Sequence, residues 1–177
     1  MKERLKQILL EKSVITGKEF KLASGKTSNF YCDARITTLH PEGAYLCGKI
    51  FLEMLKDFNV NAVGGYSIGA DPIVTAITVF SHMENNPIPA FIIRKETKSH
   101  GTGKSIEGNF PENAKVAIFD DVVTSGGSIL RGAAQVEKQG GKVEVVMAVL
   151  DREEGGREKI EGAGYKFYSI FTKKDFI

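Results

Sequence analysis

The chain has 177 residues, of which 42% are hydrophobic and 26% are charged, and its formal net charge is +2 at pH 7. These values are typical of one soluble globular domain and exclude a disordered chain, and the small net charge argues against a general nucleic-acid binder. Cys32 and Cys47 are too few for a disulfide framework or a zinc site, and neither a signal peptide nor a membrane span is recognisable. We therefore expect a cytoplasmic protein without nucleic-acid or membrane partners.

The N-terminal segment is predicted to contain one helix and one β-hairpin. Lys2–Lys12 places its apolar residues at helical spacing. Residues 20–22 and 29–32 predict two short strands, with a turn at residues 24–26 between them. Because this segment contains no α/β unit, we expect it to pack as a separate cap over the rest of the chain.

The middle of the chain predicts alternating helices and strands. Pro41 at a first helical position predicts a helix that runs to about Phe58. A strand over Val60–Gly64 precedes the glycine-rich turn Gly65–Pro72, after which a helix from Ile73 to about Met83 and a strand over Ala90–Ile93 are expected. A glycine-rich turn between a strand and a helix is an anion site in outline, although glycines there are often only geometric.

A strongly charged segment follows this strand. Arg94–Lys104 carries four Lys or Arg and one Glu, a net charge of +3 (4 − 1), and it has no apolar side chain. Because such a segment cannot contribute to a core, we expect a mobile loop over residues about 95–110 that becomes ordered when ligand binds. A solvated run of charges is the simpler interpretation.

The segment after residue 115 carries the most specific chemistry. Val116–Phe119 is an uninterrupted apolar run, which predicts a strand buried on both faces of a parallel sheet. Asp120 and Asp121 end this run, and the small-residue loop Thr124–Ser128 leads into a helix over Ile129–Gln139. Backbone N–H groups at a helix start bind phosphate, whereas the carboxylates suit sugar hydroxyls or a metal, so the pattern fits a ribose 5-phosphate. A solvated turn, a metal-dependent phosphatase or a receiver domain also remains open from this stretch alone.

The C-terminal part predicts two more strands. Val143–Leu150 is strongly apolar, and Arg152 follows its end. Lys166–Ile170 predicts a short last strand before the polar tail Thr172–Ile177. A lone arginine after a strand is more often a solvated ion-pair partner than a ligand.

Polar features follow the ends of four predicted parallel strands: the Gly65–Ala70 turn, Arg94, the Asp120–Ser128 segment and Arg152. In an open parallel sheet the carboxyl ends of the strands meet at one edge, and ligands bind there. The order of the sequence therefore brings a phosphate loop, a diol-binding pair, a cationic loop and an arginine into one cleft.

Several motifs resemble the type I phosphoribosyltransferases, and the orotate phosphoribosyltransferase family in particular. Asp120–Ser128, with the sequence DDVVTSGGS, is similar to the motif that binds phosphoribosyl pyrophosphate (PRPP). Arg94–Gly101, with the pattern RKxxKxHG, resembles the catalytic loop of the orotate branch. Ser24–Asp33 resembles the N-terminal hood of that branch, and Arg152 matches its orotate-binding arginine. The resemblance covers nearly the whole chain.

This resemblance implies an α/β fold of the type I phosphoribosyltransferase class, with an open, mainly parallel sheet, flanking helices and a small N-terminal hood. It implies one domain over residues 1–177, with the hood mostly in 1–40 and the α/β core in 41–177. The implied reaction transfers the 5-phosphoribosyl group from PRPP to orotate and gives orotidine 5′-monophosphate and pyrophosphate, a step of pyrimidine biosynthesis. The implied cofactor is Mg²⁺ carried by PRPP, and the implied assembly is a homodimer whose catalytic loop serves the neighbouring subunit.

The resemblance also assigns roles to individual residues. Lys98 and His100 are the implied catalytic residues, and Thr124 and Arg152 the implied orotate ligands. PRPP binding is implied for Arg94, Lys95, Lys98, His100, Asp120, Asp121, Val122, Val123, Thr124, Ser125, Gly126, Gly127 and Ser128. No protein side chain is implied as a metal ligand.

The chain departs from the family at one position of the hood. Several members carry a lysine before the Ser-Gly pair, where this chain has Ala23, so that role is lost or passes to Lys26. Two alternatives stay open: a phosphoribosyltransferase for a purine or uracil base, and a non-catalytic PRPP-binding regulator. The RKxxKxHG loop and Arg152 count against the first. The second would need an added DNA-binding domain, for which we expect no room, and it needs no catalytic loop.

Overall fold

The computed structural model describes residues 1–21, 27–95 and 105–177. Its first elements are helix α1 over Lys2–Lys12, strand β1 over Val14–Lys21, strand β2 over Thr27–Cys32 and helix α2 over Arg35–Thr38. β1 and β2 pair antiparallel and form a two-stranded sheet of their own. The predicted hairpin is therefore confirmed, with a longer first strand than expected, while the predicted turn at residues 24–26 lies outside the described residues.

A second, six-stranded sheet forms the centre of the molecule. Its strands are β3 over Ala62–Tyr66, β4 over Ala90–Ile93, β5 over Ile106–Gly108, β6 over Lys115–Val123, β7 over Lys142–Asp151 and β8 over Phe167–Thr172. Their spatial order is β5–β4–β3–β6–β7–β8, and each neighbouring pair is parallel except β4 with β5. The prediction of an open, mainly parallel sheet is confirmed.

Helices cover both faces of this sheet. They are α3 over Pro41–Leu55, α4 over Asp71–Met83, α5 over Gly127–Lys138 and α6 over Gly156–Gly162, and a 3-10 helix spans Lys173–Asp175. Side chains alternate between the two faces of a strand. Accordingly, Ala117 and Phe119 of β6 share a core with α1, α3 and α4, and Val116 and Ile118 share one with α5 and α6. Each large apolar side chain buried in these cores contributes about 1.5–3 kcal/mol relative to exposure.

The N-terminal helix does not belong to a separate cap, contrary to the prediction. Leu5 and Ile8 of α1 and Phe30 of β2 are fully buried in the same core as Phe51 of α3 and Phe171 of β8. An isolated two-stranded hairpin cannot cover the apolar face of a helix. The helix therefore packs against the central sheet, and the separate two-stranded sheet contributes Phe30 to the same core.

Three stretches differ from the sequence-based expectations. Ile106–Gly108 was predicted as loop but forms β5, because Ile106 is buried beside β4 and pairs with Ile93. The helix from Pro41 ends at Leu55 rather than near Phe58. Helix α6 was not predicted at all, since Ile160 is its one buried large apolar side chain. The remainder of the predicted mobile loop, residues 96–104, lies outside the described residues.

Within the described residues, no helix combines the length and the apolar composition that crossing a membrane requires.

Candidate functional site

The carboxyl ends of the parallel strands β3, β4, β6 and β7 meet at one edge of the sheet, as their register shows. A cleft of about 210 Å³ opens there. Among the predicted site residues, it is lined by Lys95, Asp120, Asp121, Val122 and Ser128, together with Ser67, Ile68 and Gly69 of the glycine-rich turn. The structure therefore brings together, from β3, β4 and β6, polar features that were selected separately in the sequence.

Asp120 and Asp121 lie within β6 rather than after it, because pairing with β7 continues through Val122 and Val123. Burial raises the pKa of Asp120 well above its usual value, and the neighbouring charge of Asp121 raises it further. Lys95 acts in the opposite direction. Because little positive charge compensates these two carboxylates, they are suited to accept hydrogen bonds from hydroxyl groups or to bind a cation.

The turn after β3 approaches the carboxylates as bare backbone. A Cβ atom on Gly69 would lie 2.4 Å from Oδ1 of Asp121 and 3.0 Å from Oδ1 of Asp120, so any other residue there would displace the Asp121 carboxylate. The side chain of Ser67 donates to Oδ2 of Asp71 at 2.9 Å and so holds the turn against the start of α4. At Gly69 the turn therefore meets the two carboxylates through its backbone.

A smaller concavity of about 120 Å³ lies beside the carboxylates, at the start of α5. It is lined by the predicted phosphate loop Thr124–Ser128 and also by Asp120, Val122, Val123, Ile129 and Arg131. Gly126 adopts a left-handed conformation, φ 72°, immediately before the helix, a conformation that favours glycine. The first N–H groups of a helix have no intrahelical acceptor, so this concavity offers them to an anion.

Arg131 is a candidate that the sequence argument missed. It lies one turn into α5, and its Nη1 atom is 3.4 Å from where a Cβ of Gly127 would be, so its guanidinium lies at the phosphate loop. The signal was present in the sequence, because a basic residue four positions after the loop's second glycine returns to the same side of the helix.

The hood supplies the opposite wall of the cleft, through Tyr31, Cys32, Asp33 and Arg35. Arg35 donates from Nε and Nη2 to the two oxygens of Asp33 at 2.8 and 2.9 Å. This pairing holds the pKa of Asp33 below its usual value. Burial, with the charges of Asp121 and Asp33, raises the pKa of the Cys32 thiol to about 12, so Cys32 is a neutral wall residue and no nucleophile. Arg35 was also missed, although it is the one Lys or Arg between residues 27 and 40.

Arg152 lies just beyond β7 and is only 5% exposed. Its Nη2 atom is 3.1 Å from the carbonyl oxygen of Phe30 and 3.3 Å from Oγ of Ser28, both in the hood strand β2. The same atom pairs with Glu154 at 2.7 Å. Arg152 therefore joins the hood to the end of β7, and it is not among the residues that line the cleft.

The remaining predicted residues are placed less directly. Arg94 is at the end of β4, pairs with Glu107 of β5 at 2.9 Å and is not among the residues that line the cleft. Thr124 is exposed at the mouth of the phosphate concavity. Lys98, His100 and the pair Ala23 and Lys26 lie outside the described residues.

Known proteins of similar sequence identify the family of this chain. No protein-family model matches the chain. An orotate phosphoribosyltransferase from Aquifex aeolicus is 44% identical over 178 residues, which cover 99% of this chain and 97% of that protein. The chain belongs to the orotate phosphoribosyltransferase family.

Solved structures of the family agree with the fold. The orotate phosphoribosyltransferase of Mycobacterium tuberculosis, crystallised with Fe(III) dicitrate, is 35% identical with a TM-score of 0.86, and the match covers 98% of this chain and 97% of that one. The same enzyme in complex with PRPP is 33% identical with a TM-score of 0.82, covering 98% and 97%. The type I phosphoribosyltransferase fold expected from the motifs is confirmed, and the family favours orotate over the purine, uracil and regulator alternatives.

Magnesium, which the family resemblance implies, can be tested against the donors present. Within residues 1–21, 27–95 and 105–177, no group of three or more His, Cys, Asp or Glu side chains is arranged to hold a metal ion. Mg²⁺ usually binds through one or two carboxylates together with substrate phosphates and water. Asp120 and Asp121, which share a cleft with the phosphate loop, fit that arrangement and not a cage made by protein alone.

Proposed function

We propose that the cleft transfers the 5-phosphoribosyl group of PRPP to orotate and forms orotidine 5′-monophosphate and pyrophosphate. The observation that carries this proposal is the sequence of sites along β6 and α5: a half-buried carboxylate pair followed directly by an anion-binding concavity. A ribose 5-phosphate presents hydroxyls and a phosphate in that order. Membership of the orotate phosphoribosyltransferase family supports the choice of base.

The ribose hydroxyls and the 5′-phosphate are bound by two different groups of residues. Asp120 and Asp121 accept hydrogen bonds from the ribose hydroxyls, which stabilises the ionised form of Asp120 that burial and the charge of Asp121 disfavour. The backbone N–H groups and hydroxyls of Thr124–Ser128 hold the 5′-phosphate, with Arg131 adding a positive charge beside it. The backbone of Val122 and Val123 connects the two groups at a fixed separation.

The base end is formed by Arg152 and the hood. A guanidinium binds a planar carboxylate through two parallel hydrogen bonds, which a lysine cannot reproduce. Orotate carries such a carboxylate, and Arg152 follows β7, the strand that pairs with β6 and its two carboxylates. Thr124 follows the last residue of β6, lines the phosphate concavity and is our second candidate ligand for the base.

The chemical step requires positive charge at the leaving group. Breaking the bond from the anomeric carbon to pyrophosphate leaves oxocarbenium-like charge on the ribose and negative charge on the pyrophosphate. Lys95, which lines the cleft, and Lys98 and His100 of the following loop stabilise that negative charge. His100 can also donate a proton, since histidine titrates near neutral pH. Mg²⁺ bound to PRPP supplies further neutralisation of the pyrophosphate when present.

The substrate assignment is tested by a panel of bases. Purified protein is supplied with PRPP and Mg²⁺ and with orotate, uracil, adenine or hypoxanthine, and base consumption is followed by absorbance. We expect consumption of orotate only, with stoichiometric release of pyrophosphate. Equal consumption of uracil would show that Arg152 does not select the orotate carboxylate. No turnover of any base would support the regulator alternative.

Replacement of Asp120 or Asp121 by asparagine should change thermal stability and PRPP affinity in opposite directions. In the folded protein Asp120 binds its proton more tightly than in the unfolded chain, so stability falls as pH rises from its usual pKa of 3.8 to the raised value. Asp120→Asn should therefore raise Tm at neutral pH by about 2–4 °C, while PRPP affinity falls about tenfold. Asp121→Asn, which removes the repelling charge, should act in the same directions, and because it removes a ribose ligand it should also lower kcat about 10²- to 10³-fold.

These two effects are measured by thermal unfolding between pH 3 and 8 and by PRPP titration. The gain in Tm should vanish at the acid end, where Asp120 is protonated in both states. A lower Tm with unchanged kinetics would show that the pair is structural and not a ligand site.

We also place the protein in the cytoplasm as a homodimer. Cys32 and Cys47 are buried and free, as expected in a reducing compartment. α2, α3 and α4 pack on one another and expose large apolar side chains: Ile36 (51%), Leu39 (71%), Tyr45 (49%) and Val79 (51%). An apolar face of this kind is typical of an interface. Arg35 of α2 lines the cleft and precedes Ile36 in the chain, so a second copy on this face would lie near the cleft.

Disruption of this apolar face should produce a monomer. Leu39→Asp introduces a charge at its most exposed position, and we expect a dimer mass for the wild type and about half of it for the variant, measured by light scattering after size exclusion. Ile177→Asp, which alters an apolar residue of similar exposure (64%) at the C-terminus, is the control and should stay dimeric. A monomeric wild type, or an unaffected Leu39→Asp variant, would contradict the assignment of this face.

A further inference from the structure

The nitrogen atoms of the Arg152 guanidinium differ in the number of acceptors that lie near them. Its Nη2 atom carries two protons but lies within hydrogen-bond distance of three acceptors: Oε1 of Glu154 at 2.7 Å, the carbonyl oxygen of Phe30 at 3.1 Å and Oγ of Ser28 at 3.3 Å. Its Nε atom is buried and, in the part of the chain that the structure describes, has no hydrogen-bond partner. A buried guanidinium that crowds one nitrogen and leaves another unpaired is arranged for a further ligand.

The crowded nitrogen is the one that a substrate carboxylate needs. A carboxylate grips a guanidinium with two hydrogen bonds either side-on, through Nε and Nη2, or end-on, through Nη1 and Nη2. Both modes use Nη2. Bidentate binding of orotate by Arg152 therefore requires at least one of the present acceptors to leave that atom.

Glu154 is the acceptor that can leave. Phe30 belongs to a paired strand and its side chain is fully buried, so its carbonyl is fixed. Glu154 lies in the connection between β7 and α6, and its side chain is 30% exposed, so it can turn into solvent. Glu154 pairs with Nη2 of Arg152, whereas a ligand bound side-on would also accept a hydrogen bond from Nε, which lacks a partner among the described residues.

We infer that the carboxylate of Glu154 takes the place of the substrate carboxylate in the free enzyme, where it neutralises and orients Arg152. Orotate displaces Glu154 when it binds. The inference rests on the proposed role of Arg152 as the orotate ligand. The exchange replaces one carboxylate by another, so the buried guanidinium is never left without a counterion. The substrate succeeds in this exchange because it makes a second hydrogen bond that Glu154 does not make.

This competition should weaken the binding of carboxylate-bearing ligands and leave other ligands unaffected. Orotidine 5′-monophosphate and uridine 5′-monophosphate differ only in that carboxylate, so the pair isolates its contribution. With Glu154→Gln we expect the Kd of orotidine 5′-monophosphate to fall about tenfold, because a neutral amide is displaced more easily than a carboxylate. The Kd of uridine 5′-monophosphate should stay within about twofold of the wild-type value.

The experiment is isothermal titration of both nucleotides into the wild type, Glu154→Gln and Glu153→Gln. Glu153 is the matched control, because it undergoes the same change one position away but its carboxylate pairs with Lys174 at 2.7 Å and, among the described residues, makes no ion pair with Arg152. An unchanged or higher Kd of orotidine 5′-monophosphate in Glu154→Gln would overturn the inference. An equal change for both nucleotides would do so as well, since it would indicate a general effect on the site.

A third variant separates this inference from the proposed function. In Arg152→Gln the preference for orotidine over uridine 5′-monophosphate should disappear. If it disappears and Glu154→Gln shows no tightening, then Arg152 binds the carboxylate and only the displacement of Glu154 is wrong. If the preference persists in Arg152→Gln, the assignment of Arg152 itself fails, and the role of Glu154 fails with it.

Discussion

Replacement of Arg152 by alanine should raise the KM for orotate about 10- to 100-fold and leave the KM for PRPP within about threefold of its wild-type value. The charge-assisted pair that is lost contributes about 1.5–3 kcal/mol, and it involves only the base. Initial rates with each substrate varied in turn provide both constants. Similar increases in the two KM values would show that Arg152 acts on the whole cleft.

Two further variants make this result specific to the carboxylate. Arg152→Lys keeps the charge but loses the planar fork, so it should recover only part of the orotate affinity. Arg4→Ala, which removes an arginine paired with Glu42 on the outer surface, should change neither KM. Because Arg152 also contacts Ser28 and Phe30, Tm is measured in parallel, and an intact Tm with a raised orotate KM excludes general loosening of the hood.

The sequence predicted those parts of the site that depend on residues adjacent to one another in the chain. Apolar runs predicted the central strands, and the residue types after them predicted what lies at the carboxyl edge, since parallel strands all end there. Val116–Phe119 is the clearest case, because a strand covered on both faces must be continuously apolar. The phosphate loop followed from its small residues at a helix start.

The parts that the sequence did not predict depend on contacts between distant residues. The partners of Arg152 in the hood are 122 and 124 positions away, so no spacing rule connects them. β5 has three residues and exists because β4 offers it an edge. α6 holds its position through close packing of Gly156 on the backbone of Thr124 and the side chain of Val123, where a Cβ would come within 2.5 and 2.6 Å. Periodicity over seven mostly charged residues could not indicate that contact.

The structure also changes what is expected of the catalytic loop. The loop was predicted to be free over residues about 95–110, but the N–H of Arg94 donates to the carbonyl of Ser105 at 3.0 Å, and Ile106 is anchored in β5. Both ends of the loop therefore meet at one point of the sheet edge. A closed loop over residues 95–104 reaches at most roughly 17 Å from that point, which is half of its extended length at about 3.3 Å per residue. Lys98 and His100 are near its middle, where this reach is greatest.

Lys98→Ala should lower kcat by about 10²- to 10³-fold, the loss that follows removal of one group that stabilises developing charge. Ground-state binding of orotidine 5′-monophosphate should change little, because that product carries no pyrophosphate. Single-turnover rates with saturating PRPP and orotate measure the effect. A rise in the KM for PRPP at unchanged kcat would instead indicate that Lys98 contributes only binding.

Mixing of two inactive variants tests which subunit Lys98 serves. In the proposed homodimer Lys98 of one chain acts at the Asp120–Ser128 site of the other, so a dimer of one Lys98→Ala and one Asp121→Asn chain has one site with an intact loop and an intact carboxylate pair. Random reassembly makes about half of the dimers mixed, each with one intact site of two, so activity should return to about a quarter of the wild-type value. Subunit exchange is verified independently, by mixing chains that carry different labels. If the labelled subunits exchange and activity does not return, Lys98 serves its own chain, because in that case every site retains one of the two lesions.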